Sequence, residues 1–308
     1  MQKKLSTLLI VGSVAFDSIK TPFGKVNKTL GGSASYFSLA AGYFARPSIV
    51  AVVGNDFRTA DKKILSNKKI DLSGLQTSKG KTFAWGGEYF FDLNSRKTLF
   101  THLNVFENFQ PKLSAHHKQA KYVFLGNIHP KLQLEVLRQI KKPKLVGLDT
   151  MNYWIESAPQ ELARVLKLVD ILIINDSEAR ELSKKHNLIK SANKIAGMIK
   201  PKSTLIVKRG EFGLLMFKQG QIFNLPGYPL EDVLDPTGAG DSFAGGFMGY
   251  VARTNDTSWN NLKKACVAGS VMASFCVEKL GVKRLLEIKD VKIKQRLKDF
   301  KQLTHFEI

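Results

Sequence analysis

The sequence predicts an α/β fold in which a mainly parallel sheet is covered by helices on both faces. Short apolar runs alternate with helical patterns through the middle of the chain: Tyr122–Leu125, a helix from Lys131, Leu145–Leu148, a helix from Pro159, and Ile171–Ile174. Continuous apolar runs suit strands buried on both faces, and strand–helix alternation suits parallel crossovers. Length and composition agree, since 308 residues with 44% hydrophobic content can bury a substantial core, as one large domain or a domain with an appendage.

From the amino terminus, Leu8-Leu9-Ile10-Val11 reads as a buried first strand and Gly12-Ser13 as the turn at its end. Lys3-Lys4 followed by Leu5 to Phe16 also resembles the front of a secretory leader. Gly12, Ser13 and Asp17, and the lack of a small-residue cleavage site, favour the strand. Ligands of open parallel sheets lie outside the carboxyl ends of the strands, so Asp17 is expected to face the site; a helix cap or turn is its alternative role. Ser18 to Leu30 reads as turns and short exposed strands, and Gly31-Gly32-Ser33-Ala34 introduces a helix of small and aromatic residues through Tyr43.

Ile49–Val53 is a second apolar strand, and Ile70–Gly74 follows a lysine-rich helix. Aromatic and polar residues alternate from Thr82 to Asn104 around Asp92-Leu93-Asn94-Ser95, which predicts a hairpin. Its Phe83, Trp85, Tyr89 and Phe91 suit sheet packing or a cover over a ligand, while Arg96 and Lys97 read as solvated, with contact to a phosphorylated substrate as the alternative. Two later strand ends carry polar groups: Asp149 to Trp154, including Asn152, and Asn175-Asp176-Ser177-Glu178. Carboxylate and amide oxygens suit magnesium, usually through waters. A helix start with acids set against the dipole is the competing explanation of the second. Leu205–Val207 then leads into Lys208-Arg209-Gly210-Glu211-Phe212-Gly213 and a short meander, and Leu262–Glu278 reads as a long apolar helix ended by Gly281.

The most informative stretch is Leu234 to Phe247. Pro236 stops the preceding strand, and Gly238 and Gly240 leave no side chain between their amides and a ligand. If Asp241 and Ser242 open a helix, its free amides suit a phosphoryl group. An aspartate there is explained if Asp241 takes a proton from the hydroxyl that attacks that phosphate. No Gly-Lys-Ser/Thr ending of a Walker loop is present, and Phe243 stands in the place of the third glycine of a dinucleotide fingerprint.

Asp235-Pro236-Thr237-Gly238-Ala239-Gly240-Asp241-Ser242-Phe243 resembles the carboxyl-terminal signature of the ribokinase-like, or PfkB, carbohydrate and nucleoside kinases. The resemblance extends from the first strand to Gly281. It implies one ribokinase-like domain over 1–308, a three-layer sandwich with a mainly parallel central sheet and a small β lid inserted at about 14–30 and 82–104. It implies ATP-dependent phosphorylation of a hydroxyl on a sugar or sugar-like molecule, with a nucleoside as the alternative acceptor. Asp241 would be the base, and the amides of Gly238, Ala239 and Gly240 the anion hole. Asp17, Gly31, Gly32, Asn152 and Tyr36 would face the acceptor; Tyr36 stands where the family usually has asparagine, and a tyrosine there suits packing beside a nucleobase or simply filling the pocket. Asn175, Lys208, Gly210, Gly213, Thr237, Val267 and Gly269 would line the nucleotide, Val267 and Gly269 beside the adenine. Glu178 would hold Mg2+ through water, and a monovalent cation would lie near Asp235 and Thr237.

The formal charge of +21 suits anionic partners, but the lysines are scattered and no compact arginine run or aromatic-interleaved basic motif exists, so nucleic acid is not expected as a partner. Cys266 and Cys276 lack metal-ligand spacing and point to a reducing cytoplasm. No apolar run approaches a membrane span. An exposed lid edge suits pairing with a second copy as a homodimer.

Overall fold

The computed structural model describes residues 7–305 and 307; Lys3 and Lys4, and with them the leader reading, lie outside the described residues. The strands are β1 (Thr7–Val11), β2 (Ala15–Thr21), β3 (Gly24–Gly31), β4 (Arg46–Gly54), β5 (Asp71–Ser78), β6 (Phe83–Tyr89), β7 (Arg96–His102), β8 (Tyr122–Leu125), β9 (Leu145–Leu148), β10 (Ile171–Asn175), β11 (Thr204–Lys208), β12 (Leu214–Lys218) and β13 (Gln221–Leu225). The helices are α1 (Ser33–Ala41), α2 (Thr59–Ser66), α3 (Pro130–Gln139), α4 (Asn152–Ser157), α5 (Pro159–Leu166), α6 (Asp176–Ser183), α7 (Leu188–Ala196), α8 (Ala239–Thr254), α9 (Trp259–Cys276), α10 (Lys283–Glu287) and α11 (Asp290–Thr304).

Nine strands form one sheet in the order β13-β12-β11-β10-β9-β8-β1-β4-β5. It is parallel from β11 to β5, and β12 and β13 extend it antiparallel. Alternate residues of one strand feed opposite cores: Leu8 and Ile10 pack on the side of α1, α8 and α9, Leu9 and Val11 on the side of α3, α5 and α7. Two cores around one sheet make three layers. A second sheet, ordered β3-β2-β6-β7, is built from the two insertions after β1 and β5. Its β2 and β6 run parallel and its other pairs antiparallel, so the lid is a mixed sheet assembled from two hairpins.

Close helix packing sets the direction of α8. A side chain at Gly245 would enter the backbone of Phe37 on α1, and one at Gly246 would begin 2.8 Å from the Ala268 carbonyl oxygen on α9. The two glycines let α8 lie against both neighbours. Among the described residues no helix is long and apolar enough to cross a membrane.

Three boundaries differ from the sequence expectation. α8 starts at Ala239, because Gly238 adopts a left-handed conformation (φ 74°) and begins the helical turn earlier; Asp241 is therefore its third residue. α9 ends at Cys276, and Gly281 (φ 61°) turns the chain beyond it. The segment after β9 folds into the short α4.

Gly246→Val places methyl groups where α8 and α9 already touch. It is expected to lower stability by about 1–3 kcal/mol, or more if the helices must separate, as read from the midpoint of urea unfolding.

Candidate active site

The loop before α8 is tied down at both ends. The amides of Leu234 and Asp235 donate to the Val277 carbonyl at 2.8 and 3.2 Å, and the Asp235 carboxylate accepts from the amides of Thr237 (2.8 Å) and Gly281 (2.7 Å). Ala239 donates its amide to the Pro236 carbonyl at 3.2 Å, and Ser242 donates to Gly238 at 2.8 Å. Among the described residues the amides of Gly238, Gly240 and Asp241 have no acceptor, so the open donors are these three, and Ala239 is engaged within the turn. A helix N-terminus with unpaired amides attracts an anion.

Asp17, buried in the lid strand β2, accepts a hydrogen bond from the Gly32 amide and lies against Gly31, where any side chain would enter its carboxyl group. Gly32 (φ 88°) has no space for a side chain either, which fits the chain's turn into α1. Burial pushes Asp17 up to about 7, opposed by the Gly32 bond and reinforced by Asp235. Tyr36 is sealed beneath the catalytic loop. Its ring fills the space beside the Gly238 α-carbon, its residue is 1% exposed, and its hydroxyl has no partner. Enclosed this way, the ring fills space between α1 and the loop before α8.

Asp241 keeps access to the cleft. Desolvation nevertheless raises its carboxyl from the usual 3.8 to about 7, with Asp149 and Asp17 adding and Lys208 and Arg96 opposing. Glu178 is likewise raised to about 7 by burial and by Asp149, against the pull of Lys208. Asn175 and Glu178 form a reciprocal capping box at the start of α6: the Asn175 Oδ1 accepts from the Glu178 amide at 2.8 Å and Glu178 Oε2 accepts from the Asn175 amide at 2.7 Å. The helix-start explanation of this tetrapeptide therefore holds, and the cap also fixes which way the Glu178 carboxyl points.

Lys208 ends β11 opposite Asn175, with its ammonium beside the Gly240 α-carbon and close enough to Asp149, Glu178 and Asp241 for all three to hold its proton more tightly. Asp149, 7% exposed, is the acidic member of this cluster that sequence reasoning undervalued; its place at the end of a buried strand was the available signal. Arg96 was the other. From the start of β7 it stacks over Trp85, 5.6 Å from the ring centroid, and lowers the proton affinity of Asp241 and Glu178.

The lid meets the catalytic loop directly. Thr237 donates its hydroxyl to Tyr89 at 3.1 Å, so this group is turned to the lid. At the lid tip, Asn94 Oδ1 lies 3.4 Å from where a side chain on the exposed Gly210 (φ 57°) would begin. Gly213 (φ 81°) is closed in by the backbone from Leu225 to Gly227. Two further residues of the expected site have partners within the fold. Asn152 donates its side-chain amide to Glu181 on α6, and Gly269 faces α8, with Phe243 2.8 Å from its would-be side chain, so its smallness serves helix packing. Val267, two residues before Gly269 on the same helix, is half-buried.

Phe83 turns from the cleft to stack on Phe106, which stacks on Phe109. Among the described residues no three His, Cys, Asp or Glu side chains are arranged to hold a metal ion by themselves.

A carboxyl group beside open main-chain donors, at the carboxyl ends of a parallel sheet, suits phosphoryl transfer to an alcohol. The sequence matches the pfkB family carbohydrate kinases over residues 8–289, and the chain belongs to that family. It is an ATP-dependent kinase of sugar-like molecules, a phosphotransferase with an alcohol acceptor. The cytidine kinase of Thermococcus kodakarensis is 26% identical over 252 residues, covering 80% of this chain and 88% of that protein. The nucleoside kinase of Methanocaldococcus jannaschii is 24% identical over 312 residues, covering 96% and 98%. Among solved structures, that M. jannaschii enzyme superposes with a TM-score of 0.78 at 21% identity, over 96% of this chain and 99% of the other. The Burkholderia thailandensis nucleoside kinase in complex with inosine gives 0.79 at 19%, over 98% and 100%. These two likenesses establish the ribokinase-like fold.

Asp241 binds its proton more tightly in the folded than in the unfolded chain. The stability this confers is complete below about pH 4 and is lost as pH rises through about 7. Asp241→Asn, which does not ionise, is expected to melt a few degrees above the wild type at pH 8, an advantage that shrinks as pH falls towards 4; a pH-independent difference in melting would refute the raised carboxyl.

Proposed function

We propose that the chain phosphorylates a sugar hydroxyl of a nucleoside, using ATP. The observation that carries this reading is the register of β2 against β6, in which Asp17 pairs with the half-buried Trp85. Parallel partners project to one face of a sheet. An acid able to bind sugar hydroxyls thus shares a face of the lid with an indole able to stack on a base. The cytidine, nucleoside and adenosine kinases among the relatives support the same choice.

In this reading Asp17 and the Gly31-Gly32 backbone orient the acceptor. Asp241, with a proton affinity near neutrality, takes the hydroxyl proton as the oxygen attacks phosphorus. The open amides of Gly238, Gly240 and Asp241 receive the charge on the transferring group. The lid contacts, Thr237 to Tyr89 and Asn94 over Gly210, exclude water that would hydrolyse ATP. Glu178 and Asp149 supply the hard oxygen donors that suit Mg2+, with waters and phosphates completing the shell, and the excess of carboxylates over cations here fits such an ion. Bound there, magnesium would neutralise phosphate charge. Asp235, buried and accepting from the amides of Thr237 and Gly281, fits a monovalent cation near Thr237 in the same way.

The reading extends to the surroundings of the enzyme. The lid exposes Phe91 (83%) and Phe23 (52%) against each other at its rim, an apolar pair suited to a second copy of the chain. The two buried, unpaired cysteines suit a reducing cytoplasm.

Asp241→Asn is expected to lower turnover by about 10²–10⁴-fold while ATP affinity, read by calorimetry, stays nearly constant. Turnover close to wild type in that variant removes Asp241 from the role of base. Trp85→Ala should raise the KM for a nucleoside by roughly 5–150-fold, the equivalent of one lost stacking contact, and leave that for a free pentose unchanged. An equal effect on both acceptors argues against a nucleoside.

A further inference from the structure

The Lys208 side chain makes no hydrogen bond and no ion pair within 4.0 Å among the described residues, although it is half-buried and within reach of the charges of Asp149, Glu178 and Asp241. A lysine whose only task was to neutralise those acids would be expected to sit on one of them, because an ammonium loses its hydration on burial and regains it through direct contacts. Instead its Nζ lies 2.8 Å from where a side chain on Gly240 would begin. It is therefore pressed against the residue whose amide stands open at the head of α8, next to Asp241. Its backbone position is equally fixed, since Lys208 pairs with Asn175 and so with the capping box that holds Glu178.

We infer that Lys208 is a catalytic residue that holds the transferring phosphoryl group itself, beyond the general role of lining the nucleotide. The inference rests on the reading of Asp241 as the base. The nucleotide turn at Gly210 lies further along the chain, whereas the ammonium is within the small space shared by the base and the open amides. The group that passes through that space is the phosphoryl in flight. In the step, the acceptor oxygen bonds to phosphorus and its proton passes to Asp241. The bond from phosphorus to the bridging oxygen breaks, and its electron pair stays with ADP. The equatorial oxygens carry the charge throughout, and a cation beside them stabilises the transition state more than bound ATP. Gly240 must then be glycine for a second reason: a side chain there would displace the ammonium.

The test uses the full-length enzyme with ATP, magnesium and its nucleoside. Lys208→Met should lower kcat by about 10²–10³-fold while KM for ATP and for the nucleoside stays within about threefold, as for the loss of one oxyanion donor. In Lys208→Ala, added ethylammonium should restore part of kcat without changing the melting temperature, a response that a purely structural lysine would not give. The inference is overturned if Lys208→Met turns over within about threefold of wild type while Asp241→Asn is inert, a result that leaves the kinase reading intact. It is equally overturned if the loss falls on KM for ATP alone, or if both lysine variants unfold and ethylammonium restores neither fold nor turnover. Activity in Asp241→Asn sinks instead the reading on which the inference stands.

Discussion

The site is governed by an imbalance of buried charge. Asp17, Asp149, Glu178 and Asp241 converge on one cleft with Lys208 and the lid residue Arg96 as the opposing charges, and each of the four acids is pushed above the ordinary carboxylate range, first of all by burial. At an effective dielectric constant of about 20, two unit charges about 4 Å apart interact by about 4 kcal/mol, so the position of one ammonium among several carboxyls weighs heavily. Without substrate the cleft favours protonated acids. In the reaction proposed above, a nucleotide arriving with a cation would change that balance and favour the ionised form of Asp241. The same burial that destabilises the carboxylates in the empty protein prepares one of them to accept a proton near neutral pH.

Such a cluster exists only if rigid elements hold it. The carboxyl ends of β9, β10 and β11 deliver Asp149, Asn175 and Lys208 side by side, and the capping box at α6 turns Glu178 towards them. α8 is aimed at the same point by the glycine contacts with α1 and α9. Behind it, Arg296 lies between the rings of Phe275 (3.6 Å) and Tyr228 (4.7 Å) and bonds Glu278 at 2.6 Å. This clamp fastens α11 to the end of α9, next to the Val277 carbonyl that receives two amides of the catalytic loop. A contact far from the cleft thereby positions the loop that the chemistry uses.

The strands and the loop from Asp235 to Phe243 were legible in the sequence because their signals are local: continuous apolar runs, a proline, glycines at short spacing and an acid at a helix start. Asp17 and Glu178 drew notice for the same reason, each following an apolar run by a few residues. What was not legible depends on packing between distant segments. The smallness of Gly269 is consistent with an open adenine pocket until Phe243 is seen against it. Tyr36 stands at a position expected to touch acceptor, and only the three-dimensional fold shows its ring under Gly238. Lys208 was expected beside the nucleotide, but nothing in its own neighbourhood of sequence announces that Gly240 will lie next to it. Periodicity reports which face of an element is buried, but not against what.

The overall charge of +21 takes its meaning from the same geometry. Lysines spread over the outside create a positive field that reaches about 8 Å or more into solution at physiological salt, whereas the cleft itself is lined with acids. The two fields act at different distances. The outer one attracts polyphosphates without selecting among them. The inner one would repel a bare polyphosphate and, in the proposed reading, accept one that brings a divalent cation or meets the ammonium of Lys208 and the amides of α8. A basic protein with an acidic catalytic centre thus separates capture from selection, and the step at which the phosphoryl group moves is left to the few donors that the fold keeps free of other partners.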